Sequence, residues 1–488
     1  MKDIGAWALN TATQRGATYC DVRIVNDRQR ALMTKNGTVA HASDSESLGV
    51  GVRVIANGAW GFASTDDLRR EAVERTAAQA VSIAQASARV KEQELRLAPE
   101  KPAVADWTTL HQIDPFTTSL EQNLDLLMQV DSELRQVEGI TLAEANVNFR
   151  CYEQWFYSSD GADIHQKRFV TGAGFDVYSF AGTEIQKRSY PNSFGGQYQN
   201  KGYELIGELD LVGNARRVAE QAVALHQADQ CPQGRFNLVL DSSQLGLQIH
   251  ESIGHPIELD RVLGMEANFA GTSFLTTEKL RNLRYGSDLV NVVADATEAH
   301  GPGLGTFAYD DEGVAAQCTP IITRGDFTGY LTSRETAHTI GESRSNGTMR
   351  AEGWNRIPII RMTNISILPG EKPLTFDELI ASTDDGIYMQ TNRSWSIDDK
   401  RYNFQFGCEI AWEIKGGKLG RMLKNPSYSG ITTEFWNAMD AICSRDQWTL
   451  WGTPNCGKAQ PMQTMGTGHG ASPARFRNVK IGSAFKGN

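Results

Sequence analysis

The sequence holds no run of lysine and arginine longer than a pair, and its net charge is −10. With a pI near 5.5, this argues against a nucleic-acid partner or an anionic membrane surface, since both select for a concentrated basic patch. Long apolar stretches are missing too. The opening MKDIGAWALNTATQRG has neither a basic n-region nor a continuous apolar core, and nothing further along reaches the ~18 apolar residues of a membrane span. A cytoplasmic protein with no membrane partner is the expectation. No CxxC pair occurs, and the seven cysteines (Cys20, Cys151, Cys231, Cys318, Cys408, Cys443 and Cys456) are odd in number and scattered. That suits free thiols in a reducing compartment, with six of the seven read as buried filler.

What remains is an ordinary globular composition, 40% apolar and 22% charged, with 46 glycines for turns. At 488 residues the chain exceeds what one core usually organises, so two domains are expected, 1–230 and 231–488, divided at the polar stretch Gln227 to Gly234. Ile4 to Gly16 has helical spacing. Tyr19–Arg28, Ala31–Lys35, Thr38–Ser45, Leu48–Ala56 and Ala59–Ala63 then alternate with a period of two, joined in part by Asn36-Gly37 and Asn57-Gly58 turns. Ser64, Thr65 and Asp66 offer caps for a helix to about Ala88 with the stripe Leu68, Ala72, Val73, Ala77, Ala80 and Ile83. Further helices are read at about Ser119–Gln136 and Leu209–His226, further strands at Ile140–Tyr157, Ala162–Thr171 and Gly174–Phe180, and a loop at Tyr190–Tyr203.

Beyond the boundary the pattern is mostly strand, as in Leu289–Ala294, Val314–Ile322, Phe327–Leu331, Gln405–Lys415 and Lys418–Leu423. Phe376–Ala381 and Thr433–Ala441 are the best helical stretches. The expected fold class is α+β: an N-terminal α/β domain of hairpin strands covered by long helices, and a C-terminal β-rich domain, sandwich- or barrel-like.

The chain is organised around Leu245 to Asp260, LGLQIHESIGHPIELD. A strand, Arg235–Leu240, feeds an N-cap at Asp241 or Ser242 and then the helix that carries His250, Glu251 and His255. With only nine histidines in the chain, this HExxxH arrangement is expected about 0.01 times by chance. In the familiar HExxH pattern both histidines share one helix face; here five helical steps rotate the second by roughly 140° from the first. Gly254 and Pro256 suggest the remedy, a helix that ends after Glu251 with His255 in extended backbone, turned back toward the same ion. The competing reading is a helix end whose two histidines cap carbonyls while Glu251 sits in a surface ion pair.

HESIGHPIELD, GTFAYDDEGVAAQ (Gly305 to Gln317), RIPIIRMTN (Arg356 to Asn364), YNFQFGCEIAWEIKGGK (Tyr402 to Lys418) and PNCGKAQP (Pro454 to Pro461) together resemble the TldD/PmbA family of metallopeptidases. The resemblance implies zinc held by His250, His255 and Cys456, with Glu251 as general base. It also implies cleavage of small or unfolded peptides inside a closed dimer, either a homodimer or a heterodimer with a relative that lacks the metal motif. Chemistry also points to Cys456: Thr453 to Gly457 reads as a Gly/Pro-bounded loop, with Lys458 near enough to favour a thiolate. Two alternatives stay open, a non-catalytic peptide-binding subunit of a protease dimer and an amidohydrolase acting on small non-peptide amides. His469 in the GTGHGAS segment, read as flexible, Tyr309 and Arg393 are candidate donors to a tetrahedral intermediate, and none is assigned.

Overall fold

Two Asn-Gly turns set the first sheet. Asn36 (φ 48°) and Gly37 (78°), then Asn57 (52°) and Gly58 (72°), all lie in the left-handed region, which is the turn whose twist matches paired strands. They join β1 (Tyr19–Lys35), β2 (Thr38–Ala56) and β3 (Ala59–Thr65). Five strands were expected where three form. The polar interruptions do not break the ladder because they pair across it: Arg30 stands opposite Asp44 and Arg28 opposite Glu46, with Arg30 Nη2 2.8 Å from Asp44 Oδ2. The computed structural model describes residues 1–93, 95–268 and 270–482.

Helix α1 (Lys2–Gln14) and α2 (Arg70–Ser87) cover one part of this sheet. Ser64, Thr65 and Asp66 do not cap α2, whose N-cap is Arg69. The buried stripe runs through Val81 and Ala84, and Ile83 is exposed. After β4 (Val104–Thr108), Ser119 caps α3 (Leu120–Arg135) as its type predicts, accepting from Gln122 N. Strands β5 (Ile140–Ser158) and β6 (Asp163–Ala181) are again longer than the sequence pattern. The glycines inside β6 are there for close approach, since a Cβ on Gly174 would lie 2.4 Å from Gly196 Cα. β7 (Glu184–Tyr190) and β8 (Gln197–Gln199) pair with β6, so the expected loop contains a strand. The expected third helix forms as α5 (Leu211–Ala224), and a further helix, α4 (Glu204–Leu209), precedes it, the two broken where Asp210 takes φ 45°. The sheet runs β3-β2-β1-β5-β6-β4.

The second half builds two large sheets and, among the described residues, a two-stranded ladder of Met349–Arg350 with Ile359–Ile360. In the first, Asp385–Ile397, Gly234–Leu240, Ala474–Ile481, Ser427–Ile431 and Asn403–Lys415 pair in that order, and the last pairs back to the first, closing a five-strand ring. The second has six strands, ordered Asp326–Phe327, Cys318–Thr323, Val292–Asp295, Asn364–Ile367, Gln463–Ala471 and Thr449–Lys458. Thr433–Ala441 is helical only to Asn437; Met439–Ile442 pairs with Ala474–Ile481 as strand. The first sheet is tied to this half by buried ion pairs, among them Arg188 Nη1 to Glu409 at 2.8 Å and Arg53 between Asp21 (2.7 Å) and Glu312 (3.3 Å). All seven cysteines are free. The filler reading holds for Cys20, Cys408 and Cys443, whereas Cys151 and Cys231 are half-buried and Cys318 is exposed. No helix among the described residues is long and apolar enough to cross a membrane.

Candidate metal centre

Helix α6 (Ser242–Ile249) starts at Asp241, whose Oδ1 accepts from Ser243 N and Gln244 N. Every residue of α6 is buried, because it lies between the closed ring on one side and the strands Asn364–Ile367 and Gln463–Ala471 on the other. Leu245, Ile249, Ile253 and Ile257, four apart, enter one core. Its polar side chains bond inside the layer: Gln244 Nε2 donates to Tyr428 Oη (2.9 Å), which donates to Gln248 Oε1 (2.9 Å).

After Ile249 the helix widens into a π-turn, His250–Gly254, in which His255 N–H donates to His250 O. This five-residue bond brings His255 over His250, so that a spacing an α-helix would splay apart puts the two ring centroids 4.8 Å from each other. The extended conformation expected for His255 is not found; its φ and ψ are −65° and −42°, inside the helical region. Proline acts here through its missing donor. Pro256 cannot satisfy the carbonyl of Ser252 four residues back, and Tyr285 Oη donates to that carbonyl instead. Gly254 is needed for space rather than for φ, because a Cβ there would lie 2.2 Å from Met362 Sδ.

His250, His255 and Cys456 come together, all buried, with ligand atoms within 4.8 Å of one another. His255 Nδ1 lies 3.1 Å from Glu258 Oε2; a carboxylate accepts, so Nδ1 carries the proton and Nε2 faces Cys456 Sγ at 3.7 Å. His469 Nδ1 donates to Ile365 O at 3.1 Å, which leaves its Nε2 to accept from His250 Nδ1 at 2.7 Å and frees His250 Nε2. Burial lowers the pKa of both motif histidines, and that of His255 strongly, so both are neutral donors. Burial pushes the Cys456 thiol up and the Arg361 guanidinium pulls it down, leaving the thiol below its ordinary range. Zinc fits this donor set: tetrahedral coordination with ordinary bond lengths separates a nitrogen and a sulfur by about 3.6 Å, against 3.7 Å here. A thiolate disfavours magnesium and calcium.

Cys456 is not in a loop. It sits on the strand Thr449–Lys458, opposite Met465, just past an irregularity in the ladder. Lys458 is also not its activator; its Nζ is held by Asp260 (2.7 Å), Ile360 O (2.6 Å) and Glu266 (3.1 Å). Glu251 follows His250 and its Oε2 is 2.5 Å from Arg401 Nη1. His469 is no part of a flexible segment: it is fully buried on the strand Gln463–Ala471 and holds His250. Arg393 is exposed and donates to Gln186 and Ile185 O, and Tyr309 lines a small cavity beside Gln166. Sequence reasoning missed Glu258, Arg361, Arg401 and the orienting role of His469. Glu258 had a signal, three residues after His255, where a helical neighbour would lie. A second cluster, Asp295, His300 and Cys318, differs in kind, because burial and Asp295 push the Cys318 thiol up to about 11.

Residues 233–483 match the PmbA/TldA metallopeptidase C-terminal domain. The chain belongs to the PmbA/TldD metallopeptidase family. Residues 20–84 match domain 1 of the same family. A metalloprotease of Methanocaldococcus jannaschii is 29% identical to this PmbA/TldD chain over 454 residues, covering 93% of it and 95% of the relative. A zinc metalloprotease TldD homolog of Saccharolobus solfataricus is 23% identical, covering 97% and 98%. Among solved structures, TldE from Thermococcus kodakarensis superposes with a TM-score of 0.71 at 14% identity, covering 97% and 99%. A Thermotoga maritima protein labelled a DNA gyrase modulator gives 0.77 at 15%, covering 99% and 100%. Both share the fold.

Proposed function

We propose that this chain is a zinc peptidase that hydrolyses small or unfolded peptides, with His250, His255 and Cys456 holding the ion and Glu251 as general base. The observation that carries the reading is the convergence of two neutral imidazoles and an acidified thiol beside a carboxylate. Relatives named metalloproteases, one of them a zinc metalloprotease, support it. An ion in this three-donor set supplies a Lewis acid for the scissile carbonyl and acidifies water toward neutral pH.

The chain's residues do the rest. Arg401 fixes Glu251 through Oε2, which leaves Oε1 to accept a proton from the attacking water and pass it to the leaving amine as the C–N bond breaks. Glu258 and His469 keep the two imidazoles in one tautomer and one orientation. The strand bearing Cys456 is the last in its sheet, and Gln197 bonds only to its first part, at Leu450 and Gly452. An extended peptide adds to the remaining edge through main-chain hydrogen bonds, which read no side chain. Broad specificity follows, and folded proteins are excluded.

We place the enzyme in the cytoplasm as a homodimer or a heterodimer with a family relative, residues 1–230 forming one domain and 231–488 the catalytic one. The deciding experiment is a chelator-sensitive digest. The zinc-loaded chain should cut a denatured protein and a fluorogenic peptide panel, spare the native form of that protein, and lose activity to the chelator. Cleavage of native and denatured forms at equal rates refutes the slot. Turnover of non-peptide amides alone would replace the substrate class.

A further inference from the structure

A cavity of about 280 Å³ opens between β5 and β6 of the first sheet and the second half of the chain. Pro454 and Met465 line it, and Met465 is the ladder partner of Cys456, so the cavity adjoins the metal donors. Arg30, Arg150, Arg168 and Arg350 also face it, as does Glu352; Arg30 is held by Asp44 at 2.8 Å, and the other three arginines differ in how they are satisfied.

Arg150 is neutralised by Asp27, with Nε and Nη2 at 2.7 and 2.9 Å from its two oxygens. Arg350 donates to the carbonyls of Met362, Gly466 and Leu304 and, among the described residues, to no carboxylate. The Arg168 guanidinium lies 4.6 Å over the Tyr152 ring and has neither a hydrogen bond nor an ion pair among the described residues. Asp311, in a smaller void that Arg168 and Arg350 also line, is committed elsewhere, accepting from Gln154 Nε2 (2.8 Å) and Ala351 N (2.6 Å). Burial and the like charges of Arg168 and Arg361 pull Arg350 down to about 9 against the pull of Asp311, and Glu352, which also lines the cavity, stands 3.9 Å from Arg356. A half-buried guanidinium with a free fork of donors is matched in shape and charge by a carboxylate.

We propose that this cavity is a substrate subsite in which Arg168 takes a carboxylate of the bound peptide, with Arg350 as the second positive wall. The substrate class rests on the peptidase reading, and the test reads binding so that the two stand apart. Three pentapeptides carrying an uncharged fluorophore are titrated into the zinc-loaded Glu251→Gln chain by anisotropy: an amide, its free acid, and the amide with one interior glutamate. One carboxylate probe should bind at least tenfold tighter than the plain amide. A preference for the free acid assigns the pocket to the chain terminus, and a preference for the interior glutamate assigns it to an acidic side chain. The preference should fall below threefold in Arg168→Gln and be intermediate in Arg168→Lys. Equal binding of all three probes, or a preference that survives Arg168→Gln, overturns the proposal. If Arg168→Gln does not fold, acetate and acetamide compete against the tighter probe on the Glu251→Gln chain; acetate must displace it and acetamide must not, and equal effects overturn the assignment. If the zinc-loaded parent cleaves no peptide, the peptidase reading fails while these ratios remain readable.

Discussion

Replacing His469 with alanine probes a part of the site that lies outside the HExxxH motif. The imidazole is fully buried, donates to Ile365 O at 3.1 Å, and holds His250 Nδ1 at 2.7 Å and Thr467 Oγ1 at 3.1 Å. Its removal leaves a buried N–H, a carbonyl and a hydroxyl without their partner. At about 1–3 kcal/mol for each unsatisfied group, and with some of that recovered by relaxation, the zinc-free fold should lose about 3–5 kcal/mol. The effect on metal is separate. Without its acceptor His250 can turn and exchange tautomers, and loss of such an outer partner weakens metal binding about 10- to 100-fold. The assay is a zinc dissociation constant from competition with a chromophoric chelator, run beside urea unfolding of the zinc-free variant. His469→Gln, which can keep an acceptor near His250, should recover part of the affinity. A His469→Ala chain that binds zinc within twofold of the parent would refute the claim that His469 orients His250.

Glu251→Gln should keep its zinc and lose about 10²- to 10⁴-fold in peptide hydrolysis; full activity would remove Glu251 from the mechanism. Tyr285→Phe strands the Ser252 carbonyl that Pro256 cannot serve, so urea unfolding should show a loss of about 1–3 kcal/mol, and an unchanged midpoint contradicts the account of the π-turn. Burial holds His250, His255 and His469 below 6.5, so the unfolded chain binds more protons once the pH falls under 6.5. The stability they contribute is present above that pH and is lost as acid is added, by up to about 1.4 kcal/mol per pH unit for each proton. Asp260, raised to about 6 by burial, runs the other way, its contribution being complete below 3.8 and lost as pH rises through 6. Subtracting the pH slope of zinc-free His469→Gln from that of the parent isolates one histidine, and the difference should be positive below pH 6.5. A zero difference denies that His469 is buried neutral.

The reach of the sequence differs from element to element. Turns were legible where one dipeptide decides the backbone, as at Asn36-Gly37 and Asn57-Gly58. Strand lengths were not, because Arg28 and Arg30 look like a break until the carboxylates across the ladder are known. The motif marked His250 and His255 as candidate ligands by spacing, yet the backbone that brings the two imidazoles together could not be read from it. Gly254 and Pro256 were the right residues for the wrong reasons: one gives room to Met362, the other withholds a donor. His469 looked mobile because glycines surround it. Those glycines are small because Asn364 and Trp448 crowd against Gly468 and Gly470, a tertiary fact that no local pattern carries.

The central claim is that three side chains hold one ion and that this ion is needed for peptide cleavage. The direct test is to strip the chain with a chelator, add zinc stepwise, and follow both bound metal and hydrolysis of a fluorogenic peptide, for the parent and for Cys456→Ser. The account predicts that parent activity starts near zero and saturates at one equivalent, and that Cys456→Ser binds zinc at least tenfold more weakly. Full activity before zinc is added, or Cys456→Ser binding as tightly as the parent, would contradict it.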